Sequence, residues 1–274
     1  MKISSFGDVN KLKRMNEIQN FFRLIENFYL ENNGSKNYED YIKHLKLYNL
    51  EILNISAKDI EYLILKMEDI NKEILNKEKI LPFDFNVHEI FLEKNNKYEF
   101  LLTFMEKKLD IKVEELNILK DYTKILESRL SQVFSYAIEK NCSIMIDAEQ
   151  SYLQHYFDYF SAHVFKIYNK KNSILSATLQ CYLNSQMQRL DKLHKFCREY
   201  NLKIGIKLVR GAYMNEENQL AKENGYPTPI CKSAEETHDN YNKSLARLFE
   251  FLEEDEKVIK LSMIHLLFYF IYLN

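Results

Sequence analysis

The chain has 274 residues, a formal net charge of -2, and 46% hydrophobic and 14% aromatic content. That is apolar mass for one large domain or two modest ones, and it excludes wholesale disorder. The near-neutral charge offers no basic excess for a nucleic-acid partner.

Residues 1–8 are short and mixed, and 9–120 read as helices without strands. Met15, Ile18, Phe21, Phe22, Ile25 and Phe28 recur at helical spacing until Asn33-Gly34-Ser35 breaks the run. Ser56 and Asp59 form an imperfect capping box ahead of Ile60, Leu63 and Met67. Pro82 punctuates, and Leu101–Leu109 predicts a further helix. The rhythm changes near residue 121. A helical face of Ile125, Leu126, Leu130, Val133, Phe134, Ala137 and Ile138 stops at Asn141. The short apolar run Cys142–Ile146 then ends in Asp147. A helix over 151–168 follows, then a strand over Ile174–Leu179 that ends in Gln180. Next come a helix closed by Asn201, a strand over Lys203–Val209, and the segment Arg210-Gly211-Ala212-Tyr213. Ser233 and Glu236 open a last helix that buries Tyr241, Leu245, Leu248 and Leu252. The division is therefore 9–120 as a helical subdomain, 121–257 as βα units and 258–274 as an apolar tail, with 1–8 left unassigned by pattern.

The strand ends at 147, 180 and 210 lie about 30 residues apart, the repeat of a βαβ unit. Such succession predicts an α/β fold with a parallel sheet, either an open doubly wound sheet or a closed barrel. Both place function at the carboxyl ends of the strands. Asp147 suits either a helix N-cap or an acid that orients a cationic partner. Gln180 offers a donor and an acceptor in one amide. Lys207 and Arg210 are three apart and so point to opposite faces. Charge is costly in a strand unless paired, so these cations suggest a mouth for an anion or an electron-rich cofactor. Gly211 permits close approach of backbone, and Tyr213 could wall a planar ring.

Several chemistries are disfavoured. The five glycines form neither G-x-G-x-x-G nor a phosphate loop. The seven histidines show no H-E-x-x-H or clustered spacing, so no metal site is expected, and His155 and His163 read as surface or packing residues. Cys142, Cys181, Cys197 and Cys231 lack a C-x-x-C pair, which fits reduced thiols. The opening segment lacks a secretory signal, and Leu266–Leu273 falls far short of the roughly 20 apolar residues of a membrane span.

Residues IMIDAEQSY at 144–152, LQCYL at 179–183 and KLVRGAY at 207–213 resemble, in order and spacing, the strand-end motifs of eukaryotic mitochondrial proline dehydrogenase. The similarity continues to about residue 250, and Lys2-Ile-Ser-Ser-Phe-Gly is a shorter match to an earlier strand. The resemblance implies a partial (β/α)8 barrel preceded by a helical insertion over 9–120, with FAD held noncovalently over the strand mouths. It implies oxidation of L-proline to Δ1-pyrroline-5-carboxylate, hydride transfer to flavin, electrons passed to a quinone at a membrane surface, and a mitochondrial location. Carried over by position, Lys207 matches the cation beside the reactive flavin nitrogen and Gln180 a flavin-ring partner. Val209, Gly211 and Ala212 match backbone neighbours of the cofactor, and Thr237 a residue near its adenosine end. Asp147 and Lys2 match polar residues around the substrate carboxylate, while Leu208 and Tyr213 match the apolar wall of the proline ring.

The family's later strands, with a histidine, a substrate-site tyrosine and a paired-arginine motif, have no counterpart here, and no Arg-Arg pair occurs. The expectation is a chain truncated at both ends and inactive by itself. The competing reading is a noncatalytic helical interaction or scaffold protein derived from a truncated relative.

Overall fold

Gly34 (φ 76°) follows Asn33 (φ 51°) in the left-handed region, and this pair ends the first long helix, α1 (Val9–Glu31). The computed structural model describes residues 1–48, 55–77 and 79–254. Ahead of α1, Asp8 caps the helix by accepting from the Asn10 and Lys11 amides at 2.9 and 3.2 Å. Next come α2 (Tyr38–Lys46) and α3 (Ala57–Leu75), the latter opened by a complete Ser56–Asp59 capping box. Helices α4 (Val87–Leu92), α5 (Glu99–Lys108) and α6 (Val113–Glu139) complete the first half.

The second half alternates as its spacing predicts. Strand β1 (Ile144–Ile146) leads to α7 (Ser151–Tyr168), β2 (Leu175–Gln180) to α8 (Gln186–Tyr200), and β3 (Gly205–Val209) to α9 (Met214–Asn224) and α10 (Ala234–Glu254). The three strands are parallel in the order β1-β2-β3. The architecture is α/β, with Ile146 in register with Ala177 and Ala177 with Ile206. Every residue of β2 is buried, which suits a central parallel strand.

Two features differ from the linear reading. Lys2–Gly7 is not a strand: Ile3–Phe6 forms a single 3-10 turn, with Ile3 buried in the core. Only Met1 behaves like a strand, since its backbone nitrogen donates to the Met145 carbonyl at 2.7 Å and its carbonyl accepts from the Asp147 amide at 2.9 Å. That is one step of a parallel ladder on the free edge of β1. The division drawn at residue 120 falls inside α6, whose buried face runs unbroken through Leu116, Leu119, Tyr122, Leu126 and Leu130. The helical half shares one core with the sheet, and α1 packs along α7. The apolar tail, 258–274, lies outside the described residues.

Buried polar groups stitch the halves together. Gln19 on α1 donates to the Phe85 carbonyl (2.7 Å) and accepts from the Val87 amide (2.9 Å). Glu26, fully buried, accepts from the Phe83 and Phe85 amides, the Tyr159 hydroxyl and the Lys192 ammonium. Asp84 accepts from the Asn71 amide, the Leu81 backbone and, at 3.0 Å, the Tyr200 hydroxyl.

Burial pushes the Asp84 carboxyl up to about 7, although the Leu81 and Asn71 hydrogen bonds oppose the rise. A carboxyl raised on folding holds its proton more tightly in the native state. Its contribution is therefore full below the unfolded value near 4 and is lost as pH rises through about 7. Asn at this position keeps an acceptor for Leu81 and Asn71 and an amide for Tyr200. Asp84→Asn is expected to remove a loss on the order of a few kcal/mol between about pH 4 and 7. Urea midpoints of the two proteins across that range check this, and parallel pH curves would refute it.

Candidate active site

In parallel strands registered residues share a face, and successive residues alternate. Ile146, Ala177 and Ile206 therefore face one side, and the next step carries Asp147, Thr178 and Lys207 to the other. The Lys207 ammonium donates to Asp147 Oδ1 at 3.0 Å, and the Met1 nitrogen lies 3.2 Å from Asp147 Oδ2. Burial alone would raise the Asp147 carboxyl, but the hydrogen bonds from Lys207 and the Met1 ammonium outweigh it and hold the group below its usual range. Lys207 is only 12% exposed, so this cation is largely desolvated. Between the pair, buried Thr178 Oγ1 has no hydrogen-bond partner. A lone buried hydroxyl beside a cation suits a ligand acceptor atom.

The N-cap of α7 is Gln150, so the capping alternative for Asp147 does not hold. Instead Glu217 of α9 accepts from the Ser151 amide (2.6 Å) and hydroxyl at the start of α7, which places a negative charge at a helix N-terminus. This contact fixes the segment after β3 against the mouth of β1. Glu149, two residues past Asp147, is buried and accepts from the Ser4 amide (3.1 Å) and hydroxyl (2.8 Å). It holds the 3-10 turn over the sheet edge. Lys2 then reaches the Tyr213 ring, its ammonium 5.4 Å from the centroid. A hydrogen bond with Tyr213, helped by Glu149 and Asp147, raises the Lys2 pKa.

Gln180 ends β2 as expected, but its amide is committed. It donates to the Glu149 carbonyl (2.9 Å) and the Tyr182 hydroxyl (2.8 Å), and its oxygen accepts from Arg189 at 3.3 Å. Arg189 is itself forked onto Asp158 at 2.8 and 3.0 Å. Val209 is half-buried and Ala212 exposed at the open end of β3. At Gly211 an added Cβ would lie 3.1 Å from Met214 Sδ, so the turn there is tight. Thr237 is buried in the first turns of α10 and donates to the Ser233 carbonyl at 3.2 Å. The Arg210 guanidinium, one residue past β3, stacks on Tyr241 at 3.8 Å.

Leu208 does not join this group. It pairs with Leu179, is 1% exposed and belongs to the core. One residue from Lys207, it faces the opposite side of the sheet, so it cannot wall the same mouth as Tyr213. Thr178, Glu149, Glu217 and Arg189 were not anticipated. Thr178 alone left a linear signal, as the polar residue two places before Gln180.

Three parallel strands that set a carboxylate after β1 against a largely buried lysine within β3, with a buried amide closing β2, define an α/β protein with a polar site on one face of the sheet. A sequence model of the proline dehydrogenase family matches residues 30–263. The chain belongs to the proline dehydrogenase family. It is 36% identical over 118 residues to the mitochondrial proline dehydrogenase 1 of Drosophila melanogaster, covering 43% of this chain and 17% of that protein. It is 30% identical over 181 residues to the mitochondrial proline dehydrogenase 1 of Dictyostelium discoideum, covering 64% and 32%. The chain spans less than a third of the length of these relatives. Among solved structures, proline utilization A from Bdellovibrio bacteriovorus aligns with TM-score 0.46 and 25% identity, over 50% of this chain and 14% of that one.

Proposed function

We propose that this chain supplies the flavin-side face of a site for oxidising L-proline to Δ1-pyrroline-5-carboxylate, with FAD as cofactor and a quinone as final acceptor. The observation that carries it is the largely buried Lys207–Asp147 pair beside Thr178, within the range that the family model matches. When bound, FAD would supply a two-electron acceptor for the one hydride that leaves the ring carbon, while the proton on nitrogen passes to solvent as the C–N bond becomes an imine. Lys207 stabilises negative charge that develops beside it, and Asp147 orients its ammonium. Thr178 Oγ1 offers a hydrogen bond that no protein group takes. The backbone of Val209, Gly211 and Ala212 offers close approach, and Thr237 marks the side of α10 assigned to the adenosine end. Tyr213, with Lys2 over its ring, walls the substrate. Gln180 reaches a ligand only by exchanging partners with Glu149 or Tyr182.

The strand–helix units from β1 onward form part of a (β/α)8 barrel. A mitochondrial location follows from the relatives' names. No helix among the described residues is long and apolar enough to cross a membrane. Because no Arg-Arg pair is available to clamp a substrate carboxylate, turnover of L-proline by this polypeptide alone is expected to be absent.

The test is cofactor binding. Titration of FAD with the purified chain is expected to quench flavin fluorescence with one site, and Thr178→Val to weaken binding about 5- to 10-fold, the loss of one hydrogen bond. Unquenched FAD at high protein concentration would remove the proposal.

A further inference from the structure

A second group of chemically capable side chains lies on the helical side of the molecule. His88 of α4, Glu127 of α6 and His163 of α7 converge, with one ligand atom from each within 4.8 Å of the others. Glu127 presents both carboxylate oxygens inward, Oε2 to His88 Nε2 at 3.0 Å and Oε1 to His163 Nε2 at 3.6 Å. Ligands held at about 2.0–2.1 Å around a tetrahedral zinc ion stand roughly 3.3 Å apart, so these side chains, within 4.8 Å of one another, would draw closer around an ion.

The outer nitrogens are engaged from behind. His88 Nδ1 lies 2.7 Å from the Tyr156 hydroxyl, and His163 Nδ1 lies 3.3 Å from Glu89 Oε1. A metal-bound histidine is oriented in this way, its far nitrogen held by a carboxylate or hydroxyl so that the near one points at the ion. His163 Nε2 is buried and makes no hydrogen bond, and faces only the Glu127 carboxylate at 3.6 Å. Charge is apportioned to match. Lys166 pairs with Glu89 at 2.5 Å, whereas the ion-pair partners of Glu127 among the described residues are the two histidines. His88 is fully buried, and the other two ligands are 13% and 21% exposed, so the group opens on one side. A cleft lined by Glu89, His163, Lys166 and Lys97 gives an entry path.

We propose that His88, Glu127 and His163 bind a divalent first-row cation, zinc above all, with a water molecule completing the coordination. Two imidazoles and one carboxylate favour zinc over calcium or magnesium, which take oxygen ligands. The ion would cross-link α4, α6 and α7, so its effect is on the stability of the helical half. This site is separate from the strand mouth and does not depend on the chain's redox reading.

Equilibrium dialysis of the metal-stripped chain against Zn2+ is expected to give one ion per chain and a raised melting temperature, with neither effect from Mg2+. Glu127→Gln and His163→Gln should each weaken binding by at least about 100-fold, and Glu89→Gln by about 10-fold through loss of orientation. Because a ligand variant can fail to fold, Co2+ uptake by the unaltered chain is read alongside. Four-coordinate visible bands without sulfur-to-metal charge transfer support the assignment. No stoichiometric uptake would mean an ion-pair cluster only. A sulfur charge-transfer band, or undiminished affinity in a folded Glu127→Gln, His163→Gln double variant, would equally overturn the site.

Discussion

Glu26→Ala is expected to destabilise the fold by about 3–5 kcal/mol, the loss typical of removing one partner from a buried ion pair. Glu26 has no exposed surface, and its two oxygens receive four donors: Lys192 at 2.6 Å, the Phe83 amide and Tyr159 hydroxyl at 2.9 Å, and the Phe85 amide at 3.2 Å. Those donors come from α8, the 83–85 turn and α7, so one carboxylate joins three parts of the chain to α1. Its removal strands Lys192, whose ammonium burial already disfavours and whose pKa is lowered. The Lys192 side chain also lies over the Phe83 and Tyr159 rings, both at 4.7 Å, and its other acceptors, Asn27 Oδ1 and the Tyr159 hydroxyl at 3.0 Å, carry no charge to replace the carboxylate. Pairing Glu26→Leu with Lys192→Met should recover part of the loss, because no charge is then left alone while the two amides still lack an acceptor. Urea unfolding of the single and double variants measures this. A loss below about 1 kcal/mol in the single variant would mean that the pair is solvated, contrary to its geometry.

Lys207→Met should lower the midpoint potential of bound flavin by about 30–90 mV. A full charge near the ring is worth up to about 4 kcal/mol at an effective dielectric near 20, and 30 mV corresponds to about 1.4 kcal/mol for a two-electron couple. Lys207 is 12% exposed, so screening is modest, although Asp147 at 3.0 Å offsets part of its field. Asp147→Asn is accordingly expected to shift the potential the opposite way, upward by a smaller amount. The readout is a spectroelectrochemical titration of the FAD-loaded chain. Equal potentials in the unaltered chain and Lys207→Met would place the lysine away from the ring, even if FAD still binds.

The strand–helix alternation was legible because its signals are local. Asn201 adopts the left-handed conformation that closes α8 (φ 51°), and Ser233 accepts from the Glu236 amide at 3.2 Å to open α10. Asp147 and Lys207 were legible as candidates too, being polar residues in or after apolar strand runs, and the register brings them together across Thr178 of β2. Three things were hidden. The end of the helical half was placed by a change of rhythm at 121, yet the apolar period of α6 passes through that point. Gln180 looked available because an amide's partners, here Glu149, Tyr182 and Arg189, come from elsewhere in the chain. The His88–Glu127–His163 grouping is drawn from three helices, and no linear spacing encodes it. Helix α4, at six residues, is too short to show a period of its own.

The unbroken face of α6 has an evolutionary corollary. A module that travels between genes needs a seam where few contacts cross. Here Tyr122 and Leu126 lie on one side of residue 120, Leu116 and Leu119 on the other, and all four are buried in the same core. Splicing at that point would divide a rod and expose both stumps to water. Neither the amino-terminal helices nor the strands beyond them keep a closed core without the other.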